Sequence, residues 1–193
     1  SLSDPETSVS SRTAFLTIQR QGKRMSRLIN DMLDYTRLGM RPDRYPKQNV
    51  DLSALTTSLC DDMALIRQQG IQLTADIQPE INIYGNPQLL SRLVTNLISN
   101  ADRHTQNGTI TISLTGEPGW QTICVSDTGT GMSEEMRKNA LKGYVSADKD
   151  YWRHGIGLYV CHQIITAHGG KIWLKSQEGE GTQVFFSLPE EVS

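Results

Sequence analysis

Asn96 and Asn100 stand four residues apart in "LVTNLISNADRHT". On a helix that spacing puts two carboxamides on one face, with Arg103 and His104 nearly one turn further on. Leu93, Leu97 and Ile98 supply the opposite, apolar side. Asparagine is a poor helix former, and packing does not ask for two of them stacked. Carboxamide oxygens suit a hard cation such as Mg²⁺, which is commonly bound together with substrate phosphates. An ordinary polar helix face has the same pattern, and this stretch alone does not separate the two readings.

Three glycine-bearing stretches follow. In "DTGTGM", Asp127 closes an apolar run and precedes Gly129 and Gly131. A carboxylate at a strand end accepts a hydrogen bond from an exocyclic amine, and glycines beside it leave backbone bare for a flat ring. A tight Asx-type turn is the plain alternative. In "HGIGLYV", Gly155 and Gly157 stand at a helix start, where unpaired N–H groups and the helix dipole favour an anion such as a polyphosphate. Turns produce the same GxG. "GEGT" places Gly181 and Thr182 at the entry to the last strand, where a hairpin also wants glycine.

These residues need elements to hold them. "SLSDPETSVSSRTAFLTIQRQGKRMSRLINDMLDYTRLGM" reads as one long helix, with a capping box from Ser3 to Glu6 and Pro5 in the first turn. Ile18, Gly22, Met25, Ile29, Met32 and Thr36 alternate spacings of four and three, a heptad seam. Some 35 residues stretch roughly 50 Å at 1.5 Å each, so this helix calls for another beside it. Gly39, Pro42 and Pro46 break it, and residues 41–49 read as a linker. From residue 50 onward helices and strands alternate. A helix capped by Asp51 runs toward Gly70, strands "IQLTADI" and "INIYG" follow, and Asn86 with Pro87 opens the helix of Asn96 and Asn100. "GTITISLTG" and "WQTICVSD" pair through a turn at Gly116–Gly119, "GIGLYVCHQIITAHGG" is a helix, and "KIWLKSQEG" with "TQVFFSLP" makes a closing hairpin. The expected class is α+β: a two-layer sandwich, a mixed sheet covered on one face by helices, preceded by one long helix.

Composition narrows the function classes. Residues 1–50 hold nine Lys/Arg and five Asp/Glu, leaving ten and sixteen for the rest, so the larger part is acidic and is no general nucleic-acid surface. Three cysteines form no CxxC pair and no even disulfide set, which favours a reducing compartment. No apolar run approaches the ~20 residues that span a bilayer, so no direct membrane contact is expected.

The order of the four stretches carries more than any one of them. An amide pair on a helix, DxGxG after a strand, GxG opening a helix and GxGT before the final strand resemble the N, G1, G2 and G3 boxes of the GHKL ATPase superfamily. The closest likeness is to the catalytic domain of bacterial sensor histidine kinases. "RMSRLINDMLDYTRL" is similar to the second helix of that family's dimerisation and phosphotransfer hairpin, so the resemblance covers nearly the whole chain. It implies a division into a hairpin helix (1–40), a linker (41–49) and an ATP-binding catalytic domain (50–193) with a lid at about 132–154. It implies ATP and Mg²⁺ as cofactors, Asn100 as Mg²⁺ ligand with Asn96 beside it, and Arg103 where the family has a phosphate-contacting lysine. His104 takes the place of a tyrosine near the sugar and base. Asp127 would bind the adenine amino group, with Gly129 and Gly131 making room and Thr182 supporting it. Gly155, Ile156, Gly157 and Leu158 of the G2 box would lie at the phosphates.

The pattern is broken twice. The family's lid carries two phenylalanines three apart and then an arginine; here Leu141 and Tyr144 match, with Ser146 for the arginine and Lys142, Lys149 or Arg153 as other sources of charge. Tyr144 is the expected lid contact to ATP. The family's acceptor histidine lies in the first hairpin helix, whereas the histidines here are His104, His154, His162 and His168. The expectation is therefore a cytosolic piece of a membrane-anchored bacterial kinase, starting inside the hairpin loop. It would dimerise through its first helix, bind ATP without autophosphorylating, and signal to a response regulator. A protein-serine kinase or ATPase of the superfamily is a rival, although ATPase branches carry glutamate where Asn96 stands. A non-catalytic nucleotide-sensing dimer is another. His168 is expected to cap its helix end, and His162 to be surface or core.

Overall fold

The computed structural model describes residues 45–141 and 157–190, together with Ile18 and Gly22, which are helical. The rest of the 1–40 helix, residues 41–44 and the expected lid beyond residue 141, with Tyr144, Gly155 and Ile156, lie outside the described residues.

Strand β1 (Gln48–Asp51) leads into helix α1 (Leu52–Ile66), then β2 (Ile71–Ile77), β3 (Asn82–Gly85) and helix α2 (Pro87–His104). Strands β4 (Gly108–Glu117) and β5 (Trp120–Asp127) precede the short helix α3 (Glu134–Asn139), helix α4 (Gly157–Ala167) and the hairpin β6 (Lys171–Gln177) and β7 (Gly181–Pro189). Five strands form one mixed sheet in the order β2-β4-β5-β7-β6, parallel between β2 and β4 and antiparallel elsewhere. This is the expected two-layer sandwich. The expected strand "INIYG" is present but lies outside that sheet, paired antiparallel with β1. β1 begins at Gln48, inside the stretch read as linker.

The local chemistry explains the elements. The Asp51 side chain accepts the Ala54 N–H at 2.8 Å and starts α1. α1 stops at Ile66, before Gly70, and Gly70 supplies a left-handed turn (φ 88°) into β2. Asn86 Oδ1 accepts the Leu89 N–H at 3.0 Å, with Pro87 next, where its missing N–H costs nothing. Leu90, Leu93, Val94, Leu97 and Ile98 of α2 are buried, as are Val160, Cys161, Ile164 and Ile165 of α4. The inward rows of the sheet are Leu114–Ile123–Phe186–Ile172 and Ile112–Val125–Val184–Leu174, each four strands wide. That apolar layer under α2 and α4 is the core.

At the end of α4, His168 is buried. Its Nε2 accepts the Asn86 N–H at 3.0 Å, so the ring proton sits on Nδ1 and donates to the Ile164 carbonyl at 2.7 Å. His168 thus closes its own helix, as expected, and ties it to the cap of α2. His162 is half-buried and stacks on Tyr159 with ring centroids 6.5 Å apart.

Candidate functional site

One register step beyond the two apolar rows, the sheet turns polar. Asp127 pairs with Thr182, and Thr182 with Ser176, so three polar side chains follow one another across β5, β7 and β6 on the inward face. Asp127 and Thr182 are buried at 8% and 7% exposure. A buried row of this kind is expensive unless its members are hydrogen-bonded, and these are. Asp127 Oδ1 accepts the Gly129 N–H at 2.9 Å. Burial pushes the Asp127 carboxyl above its usual value; the backbone N–H groups of Gly129 and Thr182 and the His104 ring oppose that rise. A carboxylate has roughly four lone-pair sites, so acceptor capacity remains for a ligand N–H.

The glycines after Asp127 are required by the protein's own packing. A Cβ on Gly129 would fall on the His104 carbonyl, and one on Gly131, at φ 64°, on the Gln177 carbonyl. A Cβ on Gly181, at φ 94°, would fall on the carbonyl of Asp127. The space a Cβ would need is taken by the protein's own backbone. Thr130 N–H donates to the His104 carbonyl at 3.1 Å, and Gly179 N–H to the Thr130 carbonyl at 2.8 Å. The loop after β5 is therefore laced to the end of α2 on one side and to the β6–β7 turn on the other. The plain Asx geometry at Asp127 is present as well, since its side chain bonds two residues on.

Asn96 and Asn100 lie on the half-exposed face of α2. A Cβ on Gly157 would stand 3.4 Å from Asn100 Nδ2, so the amide face of α2 meets the first turn of α4 with no side chain between them. Asn96 Nδ2 is buried and has no hydrogen-bond partner among the described residues. Such a donor is costly unless something meets it, and a phosphate oxygen fits. Arg103 and His104 are exposed in the last turn of α2, where the helix dipole favours cations. Leu158 is partly buried and packs on the core. Of the stretch expected as a lid (about 132–154), residues 132–141 are described: the Ser133 side chain caps α3, and Glu134 and Lys138 pair at 2.6 Å.

Thus Asn96, Asn100, Gly157, Asp127 and Thr182 gather around the ends of α2 and α4 and the polar row, with Arg103 and His104 at the rim. Reading the sequence missed Ser176 and Thr128. Thr128 Oγ1 accepts the Thr109 N–H at 3.0 Å. Ser176 had a signal: after Ile172 and Leu174, the alternation of β6 calls for a third apolar residue. No group of three or more His, Cys, Asp or Glu able to hold a metal occurs among the described residues.

Fold and polar row together define a two-layer sandwich of the GHKL type. Residues 85–192 match the family described as histidine kinase-, DNA gyrase B-, and HSP90-like ATPase. The chain belongs to that family. It is 30% identical over 184 residues to the sensor histidine kinase RppB of Synechocystis sp., covering 92% of this chain and 40% of that one. It is 28% identical over 181 residues to the adaptive-response sensory kinase SasA of Crocosphaera subtropica, covering 91% of this chain and 47% of the relative. The chain therefore spans less than half of either relative. Among solved structures, full-length ShkA in complex with AMPPNP superposes with a TM-score of 0.76 at 23% identity, over 94% of this chain and 39% of ShkA, a likeness of fold.

Proposed function

We propose that this chain is the ATP-binding catalytic part of a two-component sensor histidine kinase. The observation that carries this is the buried carboxylate of Asp127, held at the end of a polar row and beside amide-bearing α2. Asp127 accepts the exocyclic amino group of adenine. Asn96 Nδ2, the N–H groups at the start of α4 and the guanidinium of Arg103 face the phosphates, and His104 lies near the sugar and base. Tyr144, Gly155 and Ile156 complete the phosphate end and the lid, and Leu158 supports that end from the core.

Mg²⁺ fits this donor set. It is usually held by few protein oxygens together with substrate phosphates, and Asn100, with Asn96 beside it, offers such oxygens without a carboxylate cage. When bound, it neutralises charge on the β- and γ-phosphates. The residues of this chain bind and orient: phosphoryl transfer needs mostly positioning and charge neutralisation. A histidine nitrogen of the acceptor attacks the γ-phosphorus, the bond to the β-phosphate oxygen breaks, and ADP leaves. The proton released from that nitrogen goes to a base beside the acceptor. No histidine occurs before His104, and in this reading the acceptor is on another segment or chain.

The partners in this reading are a second copy through the 1–40 helix and a response regulator. The parent protein is membrane-anchored and this part cytosolic. No described helix is long and apolar enough to cross a membrane. Asparagine at position 96, in place of a carboxylate that would activate water, speaks against efficient ATP hydrolysis. Mixing the chain and ATP with a separately made acceptor helix tests the proposal. Phosphohistidine on that helix is expected, and ATP binding with no transfer would leave a nucleotide-sensing module instead.

A further inference from the structure

Ser176 makes three hydrogen bonds with one hydroxyl. It accepts the Met132 N–H at 2.9 Å, donates to the Gly181 carbonyl at 2.9 Å and lies 2.9 Å from Thr182 Oγ1. A serine hydroxyl has one proton and two lone pairs. The Met132 N–H can only donate and the Gly181 carbonyl can only accept, so the Ser176 proton belongs to Gly181. The contact with Thr182 is then made by the proton of Thr182. Thr182 is left with lone pairs alone for anything else that meets its oxygen.

Thr182 stands next to Asp127 in the inward row, and an ionised carboxylate is likewise acceptor-only. We propose that Ser176 is a positioning residue: by holding the proton of Thr182, it leaves Thr182, like Asp127, with only lone pairs to offer the C6 substituent of a purine, and so selects a 6-amino over a 6-oxo base. An amino group brings N–H donors to that end. A carbonyl oxygen meets lone pairs and loses its hydration without a replacement donor, which is how buried polar sites reject analogues. The same hydroxyl fixes Met132, so the loop carrying Asp127 and the strand carrying Thr182 are held in one register. This inference rests on the nucleotide reading above.

The test compares ATP with inosine triphosphate by calorimetric titration of the full chain, wild type and Ser176→Ala. The wild type is expected to prefer ATP. In Ser176→Ala the Thr182 hydroxyl is free to turn its proton toward a 6-oxo group, so the preference narrows roughly tenfold, and Ser176→Thr restores it. A merely structural serine would weaken both nucleotides alike. An unchanged ratio in Ser176→Ala, or no recovery in Ser176→Thr, overturns the inference and leaves the ATP reading standing. A wild-type chain that binds neither nucleotide overturns the ATP reading and this inference with it. If Ser176→Ala does not fold, Ser176→Cys, whose thiol is a weak donor, carries the same comparison with the same criteria.

Discussion

A Cβ on Gly131 would fall on the backbone carbonyl oxygen of Gln177, and Gly131 holds a φ of 64° that side chains rarely adopt. Gly179 also has positive φ, 83°, but open space around it. The two therefore separate conformational cost from collision. Gly179→Ala should lose about 1–2 kcal/mol, the cost of a left-handed residue with a Cβ. Gly131→Ala adds backbone displacement, typically ~1–3 kcal/mol more. Urea unfolding of both variants checks the order; equal losses would mean that the loop after β5 is not clamped by the β6–β7 turn.

Asn96 carries a buried amide nitrogen with no hydrogen-bond partner among the described residues, on the face of α2 that the proposal assigns to the nucleotide. Leaving such a group unmade costs about 1–3 kcal/mol. Asn96→Leu should therefore melt higher than wild type in the absence of nucleotide, by about 1 kcal/mol or more, and bind ATP more weakly. Thermal melts with and without ATP read both effects. A variant no more stable than wild type would show that the amide is not a stored cost.

His168 is buried and neutral, and its pKa is lowered from 6.5, first by burial and further by Lys47, against the opposing bond to Ile164. The unfolded chain then binds a proton that the folded chain refuses, so stability rises with pH. The contribution is complete above pH 6.5 and is lost as pH falls below it toward the folded-state value. Protonation would also put a second N–H against the Asn86 N–H. Unfolding midpoints between pH 5 and 7.5 should fall more steeply for wild type than for His168→Gln. Parallel curves would count against this linkage.

Much of the fold was legible because local signals agreed with the outcome. Asp51 and the Asn86–Pro87 pair cap their helices as their types predict. The alternation in β4, β5 and β7 places Ile112, Val125 and Val184 inward. The four-residue β1 is too short for periodicity to show, and so its residues looked like linker and cap. The site residues were legible as types, but the backbone collisions that require glycine at 129 and 131 were not. The carbonyls of His104 and Gln177 that exclude a Cβ there come from distant parts of the chain, and no local pattern announces them. Ser176 was visible only as a polar residue where β6 should have stayed apolar.

The central claim is that Asp127 recognises a purine amino group, and titrating ATP with Mg²⁺ into wild type and Asp127→Asn tests it most directly. A hydrogen bond to a charged group is worth about 1.5–3 kcal/mol, so the variant should bind at least roughly tenfold more weakly, with its circular dichroism and unfolding midpoint little changed. Equal affinity in the two proteins would contradict the account and return Asp127 to the role of a turn residue.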